Sequence, residues 1–284
     1  MDEHAEERRD AALDAMEHHQ RNITYPILYD LGDRLCVLGS GVLFGYEDRH
    51  FIITAAHLFD DDETIGKIIP EKLGGPNTRG HGTPTSFGPI ELYVGKRAPF
   101  DFDIAAIELK DAGKIAAIKN DWHFLRVSDI GMPTKQPPFC LGGYPRDLQG
   151  QRGSTTHGPM FVARTLEYPE IPDNAREPVD LTYDFFGQYD PEGMVRQLDD
   201  AVKQSPSLKG VSGGSLLQYD DTTTGFWSVQ NTMKLVGIQS SASDGKKWYR
   251  AKKSNVIAML FDRIDPTIGA AMRAQLETQG TRGG

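Results

Sequence analysis

Three short segments of this sequence set reactive side chains at the ends of apolar runs. Phe51-Ile52-Ile53-Thr54-Ala55-Ala56-His57 closes a strand-like run on two small residues and a histidine. Asp101-Phe102-Asp103-Ile104-Ala105-Ala106-Ile107 places an acid immediately before another. Gly210-Val211-Ser212-Gly213-Gly214-Ser215 holds a serine in a glycine-rich turn ahead of Leu216-Leu217. A serine hydroxyl is a weak nucleophile until a base takes its proton, and histidine titrates near neutral pH. A carboxylate behind the imidazole fixes its tautomer and stabilises the imidazolium, while glycines beside the serine let backbone N–H groups converge on an oxyanion. Taken singly, His57 reads as a structural core histidine, Asp103 as a strand-initiating residue and Ser212 as a tight-turn residue. Their joint order is what favours nucleophilic acyl chemistry.

The elements that must position these residues are mainly strands. Short apolar runs punctuated by Gly, Pro and Asn predict strands at Pro26–Tyr29, Leu35–Phe44, His50–Thr54, Glu91–Val94 and Ile104–Leu109. A second strand-rich region starts near Pro138, with PFCLGGY, MFVARTLEY, VDLTYDFF, GSLLQY, GFWSVQ and KLVGIQSS. Residues 74–89 read as a long surface loop, and 192–203 as a short helix. Helices are expected late, one capped by Ser254 and one beginning at Asp265-Pro266 with Ile268, Met272 and Leu276 on one face. Residues 1–22 carry seven acids, three arginines and three histidines, which reads as a solvated, partly frayed helix. Many short strands followed by terminal helices suggest an all-β barrel or sandwich.

Composition narrows the function. The chain has 284 residues, 38% hydrophobic and 25% charged, so it is globular and able to bury a core. A net charge of -9 argues against non-specific nucleic-acid or anionic-membrane binding. No run of 18 or so apolar residues is present, which removes a membrane-spanning helix. The opening MDEHAEERRDAALD has neither a basic n-region nor an apolar h-region, so a cytoplasmic location is expected. Cys36 and Cys140 are far apart, and no histidine pair has ligand spacing. Neither a disulfide scaffold nor a metal site is therefore expected.

Thr54-Ala55-Ala56-His57, Asp103-Ile104-Ala105 and Gly210-Val211-Ser212-Gly213-Gly214, in that order, resemble the chymotrypsin-like (trypsin-fold) serine peptidases. Gly39-Ser40-Gly41 on the strand before the histidine, Gly143-Tyr144-Pro145 and Leu235-Val236-Gly237-Ile238 agree with it. The resemblance spans roughly residues 34–241 and is to signal-less bacterial members. It implies two packed six-stranded antiparallel β-barrels with C-terminal helices. Residues 1–24 would form a polar extension, 25–135 the first barrel with His57 and Asp103, 136–250 the second with Ser212, and 251–284 the terminal helices and tail. It implies a catalytic triad of His57, Asp103 and Ser212, an oxyanion hole from the N–H groups of Gly210 and Ser212, and no cofactor. Only Asp103, not Asp101, directly precedes Ile-Ala as the pattern requires. The substrate would be a polypeptide, with a regulatory partner left open. A catalytically silent peptide-binding module and an esterase are the alternatives on the same fold.

The sequence departs from that family at informative places. Leu58 follows His57 where secreted members carry a disulfide cysteine, and Val211 stands where activatable zymogens carry an acid. Pro206, followed by Ser207, occupies the position of a carboxylate that would bind basic side chains, and Ser240, Ser241 and Ala242 supply the opposite wall. A small or medium apolar side chain is expected to fit there. Residues 166–209 and 219–233 do not align with the family.

Overall fold

The computed structural model describes residues 14–60, 66–79, 84–97, 100–134, 139–152, 155–189, 206–219, 232–243 and 247–280. Helix α1 (residues 14–23) leads directly into β1 (Thr24–Asp30), followed by β2 (Leu35–Tyr46), β3 (Arg49–Thr54), β4 (Leu73–Pro76), β5 (Pro84–Ser86), β6 (Ile90–Arg97) and β7 (Phe100–Leu109). These strands form one antiparallel sheet of seven in the order β5-β4-β1-β2-β3-β7-β6. After α2 (Ala112–Asp121) come β8 (Phe139–Gly143), the small ribbon β9 (Gly150–Arg152) and β10 (Thr155–His157), then β11 (Phe161–Thr165), β12 (Asp184–Gln188), β13 (Ser215–Tyr219), β14 (Met233–Ser243) and β15 (Trp248–Lys253). Six of them make the second sheet, ordered β11-β8-β13-β14-β15-β12. Helices α3 (Ser254–Ile264) and α4 (Pro266–Gly280) close the described chain. Each sheet curls into a half-barrel, as expected for a chymotrypsin-like double barrel.

The period-two alternation of the strands builds three cores. Tyr25, Ile27 and Tyr29 of β1, with Leu43 of β2 and Ile52 of β3, fill the first half-barrel. Phe139 and Leu141 of β8, with Phe185, Leu216, Val236 and Tyr249, fill the second. The opposite faces supply Val42, Phe44, Phe51, Ile53, Phe102 and Ile104 to a seam, which they share with Leu217, Leu235 and Ile238 of the second sheet. Val256, Ile257, Leu260 and Phe261 of α3 and Ile268, Met272 and Leu276 of α4 complete it. Full burial of each such side chain contributes about 1.5–3 kcal/mol, so the terminal helices are part of the fold rather than an appendage. Asp265 caps α4 by accepting from Thr267 N at 2.9 Å and also takes Arg49 Nη1 at 2.9 Å. Arg49 in turn grips Glu108 with two bonds of 2.8 Å, linking the first sheet to the helix pair.

Several local expectations are corrected. The described part of the N-terminal segment is not a solvated helix: Met16, Glu17, His19, Gln20 and Ile23 of α1 are buried. Residues 74–89 are not simply a loop, since β4 and β5 pair there with Gly75 opposite Thr85. An internal helix, α2, appears where none was expected. Asp111 caps it by accepting from Lys114 N at 2.7 Å, and the Lys114 ammonium reaches back to Gly75 O at 2.7 Å and Asn77 Oδ1 at 2.7 Å. Burial lowers the Lys114 pKa to about 8, with Asp111 opposing. Ser254 does not cap α3: it begins the helix, and its hydroxyl donates to Leu235 O at 2.8 Å. The first sheet has seven strands rather than six because β4 and β5 extend it past β1. The expected helix at 192–203 and the strand GFWSVQ lie outside the described residues.

Candidate active site

His57 and Asp103 meet because of strand register. In the β3–β7 ladder Thr54 is the last residue of β3 to pair, opposite Ala105. Three residues beyond Thr54 and two before Ala105 therefore fall at the same end of the sheet. The chain after β3 turns into a short 3₁₀ segment, Ala56–Phe59, that carries His57. On β7 the ladder to β6 shifts register between Val94 and Lys96, a bulge of the kind that re-aims side chains. Asp103 sits in this irregularity with φ of 37°, a strained backbone state for a residue other than glycine. Gly95 lies opposite, and a Cβ there would come within 2.7 Å of Ile104 O, so the kink needs glycine on the neighbouring strand. The Asp103 carboxylate accepts the His57 backbone N–H at 2.9 Å and faces His57 Nδ1 at 3.1 and 3.0 Å through its two oxygens. The Asp103 side chain is 14% exposed and that of His57 38%, leaving the imidazole edge accessible while its partner is screened. The Asp101 side chain lies outside the described residues.

Ser212 sits in a turn clamped from both sheets. Gly210 and Gly213 adopt φ of 89° and 84°, backbone states open to glycine at no steric cost. At Gly213 a Cβ would lie 2.0 Å from Ser40 O and 2.1 Å from Thr54 Oγ1, so the turn is pressed onto β2 and β3. Ser40 N donates to Ser212 O at 2.8 Å. The Ser40 hydroxyl accepts from Tyr144 N at 2.8 Å and donates to Gly210 O at 3.0 Å. Ser40 was noted in the sequence only as part of Gly39-Ser40-Gly41; its role as the tie between the sheets was missed. Leu58, next to His57, and Ser212 O both crowd Gly39, where a Cβ would meet them at 2.4 and 2.9 Å. The histidine and serine segments thus converge on one glycine.

The hydrogen-bond pattern of the turn alternates. Val211 N donates to Leu208 O, Gly213 N to Gln239 O and Gly214 N to Val211 O, at 3.0, 2.8 and 2.7 Å. The N–H groups of Gly210 and Ser212 make no hydrogen bond among the described residues. Two unused donors two residues apart, beside a half-buried serine, can receive an oxyanion. Ser212 Oγ makes no hydrogen bond to His57 among the described residues. Val211 is fully buried in the second core, which explains an apolar residue at that position.

The other candidate residues approach the turn by two routes. Gln239 N donates to Gly214 O at 2.9 Å, so Ser240, Ser241 and Ala242 continue along β14 from the turn's own partner. The Ser240 side chain is buried and donates to Arg250 O at 3.3 Å, whereas Ser241 and Ala242 are half-buried. Pro206 is buried with its carbonyl accepting from the Tyr189 hydroxyl, and Ser207 Oγ accepts from Lys209 N at 3.2 Å. No hydrogen bond joins Pro206 or Ser207 to 240–242 among the described residues. Tyr189 and Leu208 belong to the second core, and Ala242 packs at its edge. Cys140 is buried and Cys36 half-buried, neither forms a disulfide among the described residues, and burial pushes the Cys140 thiol up to about 12. Among the described residues no three His, Cys, Asp or Glu side chains are grouped to hold a metal ion, and no helix is long and apolar enough to cross a membrane.

Comparison with known proteins adds little sequence likeness. No family model and no curated protein matches the chain. Among solved structures it is similar to a chain from work on aromatic interactions in the coupled folding and binding of the intrinsically disordered Sesbania mosaic virus VPg protein. Sequence identity is 11%, the TM-score is 0.43, and the match covers 84% of this chain and 87% of that one.

Proposed function

We propose that the chain is a trypsin-like serine endopeptidase. The observation that carries this reading is the Asp103 carboxylate, which accepts the His57 backbone N–H and faces Nδ1 at 3.0 Å. That arrangement leaves Nε2 as the only basic nitrogen of a neutral imidazole, because Nδ1–H is committed to the carboxylate. Ser212 attacks a peptide carbonyl as His57 takes its proton. The tetrahedral oxyanion is received by the N–H groups of Gly210 and Ser212, and Asp103 stabilises the imidazolium that forms. His57 passes the proton to the leaving amine, and water then releases the acyl group from Ser212 by the reverse sequence. Every group required belongs to this chain.

The test is labelling with a fluorophosphonate probe combined with hydrolysis of a peptide library. Labelling at Ser212 that is lost in Ser212→Ala and in His57→Ala is the expected result. The double variant should be little worse than either single, since the residues act as a unit. A folded protein that takes no label would mark the silent binding module, and label with ester but no peptide turnover would mark an esterase.

A further inference from the structure

A cavity of about 350 Å³ lies away from Ser212, between α1, the first sheet and the segment after β8. None of His57, Asp103 or residues 210–212 lines it. His18 and Arg21 of α1, Arg79 beyond β4, Trp122 at the end of α2, Tyr144 and Met160 do. Four prolines add apolar wall, and among the described residues no carboxylate lines it. That is unexpected in a chain with 40 acids against 31 lysines and arginines.

The donors here are held but not saturated. Arg79 is anchored through its backbone N to Asp121 Oδ2 at 2.8 Å, and its Nη2 donates to the Asp121 backbone carbonyl. Its guanidinium stacks on Trp122 at 5.4 Å from the ring centre, while Nε is buried without a hydrogen-bond partner among the described residues. Trp122 is 5% exposed, and its indole N–H is directed at the Tyr144 hydroxyl. Burial pushes the Tyr144 phenol up to about 12, and both Arg79 and Arg21 pull against it, so the two cations converge on the same wall. A buried donor without a partner costs stability, and an anion beside the guanidinium would satisfy it.

We propose that this cavity binds a small organic anion, its phosphate or carboxylate head received by the Arg79 guanidinium and its apolar body resting against Met160 and the prolines. The test is calorimetric titration of the full chain with phenyl phosphate and with benzoate, using benzyl alcohol as the neutral control. Saturable binding of either anion with none of benzyl alcohol is expected, and the preferred anion identifies the head group. Arg79→Gln should weaken binding about tenfold or more, the worth of a charge-assisted bond. Met160→Trp, which fills the cavity and leaves every charge in place, should abolish it and guards against a misfolded Arg79 variant. Binding that survives Met160→Trp, equal affinity in a folded Arg79→Gln protein, or no binding of either anion by the wild type would overturn the assignment.

Discussion

The hydroxyl of Ser40, on β2 of the first sheet, donates to the carbonyl of Gly210 in the turn of the second, at 3.0 Å. Because the same oxygen accepts the Tyr144 N–H at 2.8 Å, one side chain fixes the peptide that precedes Val211 and with it the direction of the neighbouring N–H groups. Ser40→Ala should leave both partners unsatisfied, each costing about 1–3 kcal/mol. Turnover should fall roughly tenfold with KM little changed, because the loss is expressed at the oxyanion rather than in substrate binding. Steady-state kinetics on a peptide substrate checks the split.

Asp103, rather than Asp101, should govern catalysis. Asp103→Asn keeps the shape but presents an amide to His57, and turnover should drop on the order of 10⁴-fold. Asp101→Asn should change it little. Kinetics on both variants, with circular dichroism to verify folding, decides between them.

Helix α1 should be indispensable rather than inhibitory. Gln20 Nε2 donates to Cys140 O at 2.9 Å and to Ser215 O and Oγ at 3.0 Å, and Thr24 Oγ1 meets the same Ser215 hydroxyl at 2.7 Å. Gln20→Leu should lower stability by about 1–3 kcal/mol, measured by urea unfolding. A chain beginning at Arg21 should lose probe labelling instead of gaining it.

Stability should depend on pH through His19. Burial lowers its pKa to about 4; Asp129 opposes, while His123, His18 and Lys234 add to the lowering. The unfolded chain takes up a proton near 6.5 and the folded chain only near 4, so between those values the unfolded state binds more protons and stability falls as pH falls. The full contribution, about 3 kcal/mol, is present above pH 6.5 and gone below about 4. His19→Asn should flatten that part of the curve in unfolding measured from pH 7 to 4.

Cleavage should occur after small or medium apolar residues, not after Arg or Lys. Pro206 has no carboxylate to offer, and Ser241 and Ala242 are uncharged. An ammonium left unpaired in such surroundings would lose hydration without compensation. A peptide-library profile led by Arg and Lys would refute this.

The parts of the fold legible in the sequence were those where apolar periodicity and turn chemistry agree. His50–Thr54, Ile104–Leu109 and the α4 start at Asp265-Pro266 all fall within the observed elements, and the candidate triad lies at the ends of such segments. What escaped was polar residues buried through distant partners. In strand β15, WYRAKK, Tyr249 and Ala251 alternate with Arg250 and Lys252, a pattern that assigns the cations to solvent, yet Arg250 and Lys252 are buried because Asp184 on the adjacent strand takes Arg250 at 2.5 Å and Lys252 at 2.8 Å. Burial alone would raise the Asp184 carboxyl, but hydrogen bonds from Arg250, the Asp180 backbone and Lys252 outweigh it and hold it below the ordinary range. Gln20 and Lys114 escaped for the same reason, since their oxygen partners lie far away in sequence. No local pattern announces such pairs.

The bond between Gln20 and Ser215 also sets an order of events at the ribosome. The two residues are 195 positions apart, so at ordinary elongation rates α1 emerges roughly 10–40 s before its partner exists. Through that interval the first half-barrel carries an uncovered seam, since Leu217, Leu235 and both terminal helices are still unmade. Closure is a late event of high contact order, which makes folding slow. The turn that holds Ser212 can be clamped by Ser40 and Gln20 only after residue 215 has emerged.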